Sequence, residues 1–175
     1  MKNSKKEKIL FNSDEIKVRV EELGKEISKN YKGKELIVIS LLRGSFIFAA
    51  DLVREINVPV EIDFMTTSSY GSDEETSGVV DIINDFRTKV TGKDILIVDD
   101  IMDSGFTMRY VVEHFIKYNP NSIKTCVMLD KPSRRRVDIK PDYAGFAIPD
   151  VFIVGYGLNY GNHYRNIPYI FTYDE

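Results

Sequence analysis

The stretch ILIVDDIMDSGFTM, residues 95–108, carries the signal from which the fold can be read. Four apolar residues, Ile95, Leu96, Ile97 and Val98, run without a polar break into Asp99 and Asp100. Such a run is the pattern of a strand buried on both faces. Past a loop holding Asp103, Ser104, Gly105 and Thr107, apolar residues recur at Met108, Val111, Val112, Phe115 and Ile116, which is a helical spacing. The loop therefore joins the carboxyl end of a strand to the amino end of a helix, where open α/β sheets bind ligands. First-turn N–H groups attract an anion, Gly105 removes the side chain that would hold it off, and the hydroxyls of Ser104 and Thr107 add donors. Ionised Asp99 and Asp100 accept hydrogen bonds from hydroxyls or ligate a hard cation. A ribose 5-phosphate satisfies both halves, with its diol at the carboxylates and its phosphate in the loop. Taken alone, the same residues also fit a buried strand and a helix capped by Asp103 or Ser104.

The rest of the chain repeats this grammar. Ser13, with Asp14 and Glu15, starts a helix whose inward face is Ile16, Val20, Leu23 and Ile27, and Gly33 ends the segment. Residues 35–42, ELIVISLL, form a second buried strand that runs into Arg43, Gly44 and Ser45 and then a helix containing Phe46, Ala49, Leu52 and Val53. A guanidinium beside exposed backbone N–H groups suits pyrophosphate. Residues 58–65 alternate as a strand, with Glu61 and Asp63 opposite Val60, Ile62 and Phe64. The polar stretch that follows, to residue 80, is expected to be an active-site lid, with residues 78–83 returning as a strand. The central helix is expected to run to about Tyr118, before Asn119 and Pro120. Residues 122–129 form another buried strand that ends at Asp130, Lys131 and Pro132. SRRR, residues 133–136, reads as a solvated turn. Residues 143–148, 151–156 and 167–173 read as short strands. His114, between core positions of the central helix, is expected to be structural.

Composition narrows the function. The 175 residues fit one domain, 1–175, with residues 1–8 expected to be a disordered tail and 66–80 the mobile lid. With 24 basic and 27 acidic residues the net charge is −3, which gives no support for nucleic-acid binding. The single Cys126 is expected in the core and has no partner in the chain for a disulfide. No apolar stretch approaches a bilayer span, so no membrane partner is expected and the location is read as cytoplasmic.

Taken with LLRGSF, SSYG, LDKPSRR and FIVGYGLNY, the central stretch resembles the hypoxanthine-guanine phosphoribosyltransferases, and the bacterial hypoxanthine enzymes in particular. The likeness runs from Ser13 to Ile170 with the motifs in family order, and Lys131 and the segment from Phe152 narrow it to the 6-oxopurine branch. It implies the type I phosphoribosyltransferase fold, an α/β architecture with a mainly parallel twisted sheet flanked by helices and a small hood made from the chain ends. The implied reaction joins a 6-oxopurine base and phosphoribosyl pyrophosphate in purine salvage, giving a nucleoside monophosphate and pyrophosphate.

By this resemblance Asp99 and Asp100 hold the ribose diol, and Asp103, Ser104, Gly105, Phe106 and Thr107 cradle the 5-phosphate. Asp103 matches the proposed general base. Leu42, Arg43 and Gly44 match a pyrophosphate loop that in relatives can contain a cis peptide, and Arg165 matches a second pyrophosphate contact. Lys131 matches the donor to the purine 6-oxygen, Phe152 the stacking ring and Ile153 the backbone that reads the far edge, while Ser69 and Tyr70 match the lid dipeptide. The family implies magnesium, held with Asp99 and Asp100, and homodimers or homotetramers. One position departs: relatives carry Asp where this chain has Asn159, so a second metal site is expected to be weakened or lost. Two other classes were weighed, an RNA-binding regulator on the same fold and a phosphoacceptor signalling domain. The acidic total argues against the first, and the Gly44 loop, Lys131 and long lid against the second.

Overall fold

In the computed structural model, which describes residues 6–69 and 80–173, the continuous apolar runs lie side by side at the centre. The elements are β1 (Glu7–Phe11), α1 (Ser13–Asn30), β2 (Leu36–Leu42), α2 (Phe46–Glu55), β3 (Val60–Ser69), β4 (Val80–Asn84), β5 (Asp94–Met102), α3 (Phe106–Ile116), β6 (Ser122–Asp130), β7 (Tyr143–Ala147) and β8 (Ile170–Tyr173). Six strands form one sheet in the order β4-β3-β2-β5-β6-β7. It is parallel throughout except for β4, which runs antiparallel to β3.

Both central strands are covered on both faces, as their unbroken apolar sequence requires. Leu36 and Val38 of β2, with Leu96 and Val98 of β5, pack with the inward residues of α1 and α2. Ile37 and Ile39, with Ile95 and Ile97, pack on the other face with Met108, Val111 and Phe115 of α3. Cys126 is buried in the first of these cores.

Several boundaries differ from expectation for local reasons. Helix α1 is capped by Asn12, not Ser13. The Asn12 side chain accepts from the N–H groups of Asp14 and Glu15, and the Glu15 carboxylate accepts from the Asn12 N–H, a reciprocal capping box. Helix α1 closes at Asn30 and α3 at Ile116, each before the expected punctuation at Gly33 and Asn119. Glu7 and Lys8, expected in the loose tail, pair with Tyr173 and Thr172, so β1 and β8 form a two-stranded sheet that brings the two ends of the chain together. Residues 151–156 do not form a strand; only Val154 and Gly155 make isolated bridges, to Phe171 and Leu158.

On β3 the alternation is present but points the other way. Ile62 and Phe64 are 41% and 45% exposed, while Asp63 accepts the N–H groups of Arg87 and Thr88. Helices α1 and α2 pack over β2 and β5, leaving this edge of the sheet uncovered. The expected returning strand is β4, paired with β3 from Thr66 and Asn84 to Ser69 and Val80. The remainder of the expected lid, including Tyr70, lies outside the described residues.

Candidate active site

The sheet reverses its winding between β2 and β5: from β2 the chain proceeds outward to β3, while β5, β6 and β7 build the other side. The crevice beyond the carboxyl ends at such a switch point is where an open α/β sheet receives its ligand. Leu42, Arg43 and Gly44 follow β2, Asp99 and Asp100 lie in the last turn of β5, Lys131 follows β6, and Phe152 and Ile153 follow β7. Parallel register therefore collects residues scattered over more than a hundred positions at one rim.

Two of these segments touch at the centre. A Cβ placed on Gly44 would lie 1.6 Å from Asp100 Oδ2, so only glycine lets the post-β2 loop meet this carboxylate. Gly157 performs the same service from the opposite side, since its added Cβ would fall 2.1 Å from the Gly44 carbonyl oxygen. Arg165 Nη1 donates to the Gly157 carbonyl at 2.6 Å, and the Arg165 charge acts on Asp100. The peptide between Leu42 and Arg43 is cis. The four expected pyrophosphate residues and the acidic pair are thus linked through Gly44 and Gly157.

Burial pushes the Asp99 carboxyl well above the ordinary range, and repulsion from Asp100 adds to it. Burial also raises Asp100, with Arg165 opposing. Two desolvated carboxyls side by side suit a ligand that supplies hydroxyl groups or positive charge. Among the described residues no cluster of three or more His, Cys, Asp and Glu side chains is arranged to hold a metal.

The loop of residues 103–107 turns into α3 through Gly105, whose φ is +89°. Neither Asp103 nor Ser104 is the helix cap: Gly105 occupies that position with no side-chain hydrogen bond. Asp103, Ser104, Phe106 and Thr107 are half-buried around the first turn, while Gly105 is buried.

Beside this loop lies the SRRR turn, in which Ser133, Arg134 and Arg136 are exposed and Arg135 is not. Pro132–Arg134 form a 3-10 turn, and Arg135 is not solvated, with a side chain only 14% exposed. It donates to the carbonyls of Asp103 at 3.1 Å and Ile139 at 2.6 Å and pairs with Asp130. The Arg136 N–H donates to the Ser104 carbonyl, and the Lys131 N–H to Met102. The Arg135 side chain and the Arg136 backbone therefore buttress the loop of residues 103–107. An arginine run reads as a solvated anion site only until its partners are known, and Asp130 and Asp150 lie within sixteen residues of it.

Lys131 is 7% exposed, with Nζ 3.7 Å from Asp150 Oδ1. Phe152 is 56% exposed and meets Tyr160 edge-on at 5.6 Å, so it presents a ring face outside the core. Ile153 is buried beneath it. Asn159 donates its amide N–H to the Gly161 carbonyl at 2.5 Å, a bond that a carboxylate cannot make. His114 is held by Asp85, with Nε2 2.9 Å from Oδ2, in a structural contact away from the rim.

Comparison with known proteins agrees with this geometry. The phosphoribosyl transferase domain family model matches residues 7–161. The chain is 49% identical to the hypoxanthine phosphoribosyltransferase of Salmonella typhimurium, over 93% of this chain and 92% of that one. It is likewise 49% identical to the hypoxanthine-guanine phosphoribosyltransferase of Bacillus subtilis, over 94% and 91%. The crystal structure of a hypoxanthine-guanine phosphoribosyltransferase from Bacillus anthracis, with a HEPES molecule in its active site, superposes with a TM-score of 0.93 at 43% identity, covering 98% of this chain and 100% of that one. With its glycine-backed acidic pair at the switch point of a parallel sheet, this chain belongs to the hypoxanthine-guanine phosphoribosyltransferases, the purine-salvage members of the phosphoribosyl transferase family.

Proposed function

We propose that the rim described above carries out phosphoribosyl transfer to hypoxanthine or guanine with a division of labour between two halves. The observation that supports this reading is the meeting of Gly44 and Asp100, the residues here assigned to pyrophosphate and to the ribose diol. Phosphoribosyl pyrophosphate lies with its ribose hydroxyls on Asp99 and Asp100, its 5-phosphate over the loop of residues 103–107, and its diphosphate between Leu42, Arg43, Gly44 and Arg165. The purine stacks on Phe152, whose exposed ring is free to receive it, with its far edge at the Ile153 backbone.

In this reading Asp103 accepts the proton from an imidazole nitrogen of the base as that ring attacks the anomeric carbon. Lys131 donates to the 6-oxygen and stabilises negative charge developing on the purine. An adenine amino group would meet Lys131 donor to donor, and such mismatched polar groups discriminate strongly. Departure of pyrophosphate leaves an electron-poor ribose that water would also attack, so the stretch of residues 66–80, with its Ser69 and Tyr70, is assigned the role of lid. Magnesium fits the hard, mutually repelling oxygens of Asp99 and Asp100, and when bound it offsets charge on the leaving diphosphate.

Asn159 makes this chain's metal requirement distinctive. Its amide retains an acceptor oxygen but lacks the charge that attracts a hard cation. Initial rates should therefore saturate at higher magnesium in the wild type than in Asn159→Asp; coincident magnesium curves would remove the argument. The exposed Ile62, Phe64 and Ile83 on β3 and β4 support assembly into a homodimer or homotetramer, which light scattering would measure. No described helix is long and apolar enough to cross a membrane.

An absorbance assay with hypoxanthine, guanine, xanthine and adenine at saturating phosphoribosyl pyrophosphate and magnesium tests the activity. Product is expected with a 6-oxopurine and not with adenine. No product with any 6-oxopurine overturns the assignment.

A further inference from the structure

Arg134 stands where the two halves of the site meet. Its Nε lies 3.0 Å from Asp103 Oδ1, and its Nη1 is 3.3 Å from both carboxylate oxygens of Asp150. Asp150 Oδ1 is in turn 3.7 Å from Lys131 Nζ. Four charges of alternating sign, Asp103, Arg134, Asp150 and Lys131, thus run from the proposed base to the proposed 6-oxygen donor.

The state of Asp103 gives this chain of charges its meaning. The side chain is 42% exposed, yet Oδ1 is buried and accepts no hydrogen bond, so its pairing with Arg134 Nε at 3.0 Å is one of charge. The exposure therefore belongs to the rest of the side chain. Without a partner on Oδ1 the carboxylate could rotate freely about its last bond. A planar guanidinium can grip two carboxylates at a fixed angle, which the point charge of a lysine cannot.

We propose that Arg134 is a positioning residue for the transfer reaction: it fixes the orientation of the Asp103 carboxylate and, through Asp150, sets Lys131 in register with it. The inference rests on the reading of Asp103 and Lys131 given above. Arg134 reaches Asp103, the proposed base, and Asp150, which lies beside the proposed 6-oxygen donor, so its effect is expected on the purine more than on phosphoribosyl pyrophosphate. Binding of the base engages both ends of the charge chain at once, and a spacing error at either end is paid in the step that uses both.

Initial-rate kinetics on Arg134→Met and Arg134→Lys test it, with each substrate varied in turn. In Arg134→Met, kcat/KM for hypoxanthine is expected to fall by about tenfold, while KM for phosphoribosyl pyrophosphate stays within about twofold of wild type. Arg134→Lys should recover less than half of the loss, since charge alone is not the requirement. Asp150→Asn removes the second anchor and should lower the same constant. The loss in the Arg134→Met/Asp150→Asn double variant should then be smaller than the product of the two single losses. Unchanged kcat/KM for hypoxanthine, an equal loss for both substrates, or full recovery by lysine overturns the proposal. Asp150→Asn with wild-type purine kinetics also overturns it, and this arm stands even if Arg134→Met fails to fold. A wild-type protein inactive with every 6-oxopurine refutes the assigned reaction instead, which separates the two failures.

Discussion

The strand-borne and the loop-borne parts of the proposed site are built by different means. On β2 and β5 the proposed ligands sit on buried parallel strands, and the decisive contact is backbone against carboxylate, Gly44 against Asp100. Beyond β6 and β7 the proposed ligands sit on loops held by long charged side chains, with Arg135 under the phosphate loop and Arg134 between Asp103 and Asp150. Rigid strands fix position through packing, and a glycine there matters for what it leaves out. Loops need explicit struts, and an arginine there matters for what it reaches. The two halves should therefore fail differently when altered.

The largest effect is expected at the junction between them. Asp103→Asn keeps the shape of the side chain but removes proton acceptance, and kcat should fall by roughly a thousandfold with little change in KM for phosphoribosyl pyrophosphate. A kcat within threefold of wild type would move the base elsewhere. Next comes the strand-built half. Gly44→Ala forces Asp100 Oδ2 aside, and because that oxygen is the end of a side chain the fold can absorb the change. Activity is expected to drop by roughly a hundredfold while Tm stays close to wild type. An active variant, or one that fails only by unfolding, would break the contrast drawn here.

The loop-built half should show the reverse balance. Arg135→Ala leaves the Asp103 and Ile139 carbonyls and the Asp130 carboxylate short of a donor. The expected cost is about 2 kcal/mol, or roughly 6 °C in Tm by thermal melting. Activity measured well below the transition should suffer less than in Gly44→Ala.

The smallest effect concerns the acidic pair and has the opposite sign. Burial, with repulsion from Asp100, raises the Asp99 carboxyl, so the folded state holds its proton more tightly than the unfolded chain does. Stability from this group is greatest below the unfolded carboxyl value of about 4 and is lost as pH rises through the folded value. At neutral pH Asp99 therefore weakens the ligand-free fold, and Asp99→Asn should raise Tm modestly while impairing phosphoribosyl pyrophosphate binding. The gain should vanish in acid; a gain that persists there would point to a cause other than charge. Asp63 runs the other way. Desolvation would raise it, but the N–H groups of Thr88, Arg87 and Phe64 outweigh this and lower it.

The strand-built half was legible in the sequence because its signals are local. Four apolar residues followed by two aspartates and a glycine loop announce a buried strand with a ligand site at its carboxyl end, without knowledge of any partner. The loop-built half was legible only through family resemblance. Its supports join residues 103 to 134 and 135, and 134 to 150, and no periodicity encodes those pairings. The SRRR run showed three cations but not the carboxylates that neutralise them.

By itself the sequence determined the parallel α/β core, the acidic strand end and its anion-ready helix start, because apolar run length, helical spacing and glycine act over a few residues. Only the tertiary structure decided that Gly157 packs on Gly44 and Gly44 on Asp100, that Ile62 and Phe64 face outward, that the first strand pairs with the last, and that Arg134 and Arg135 both reach Asp103. Those outcomes depend on which distant segments come into contact, and contact is a property of the folded chain as a whole.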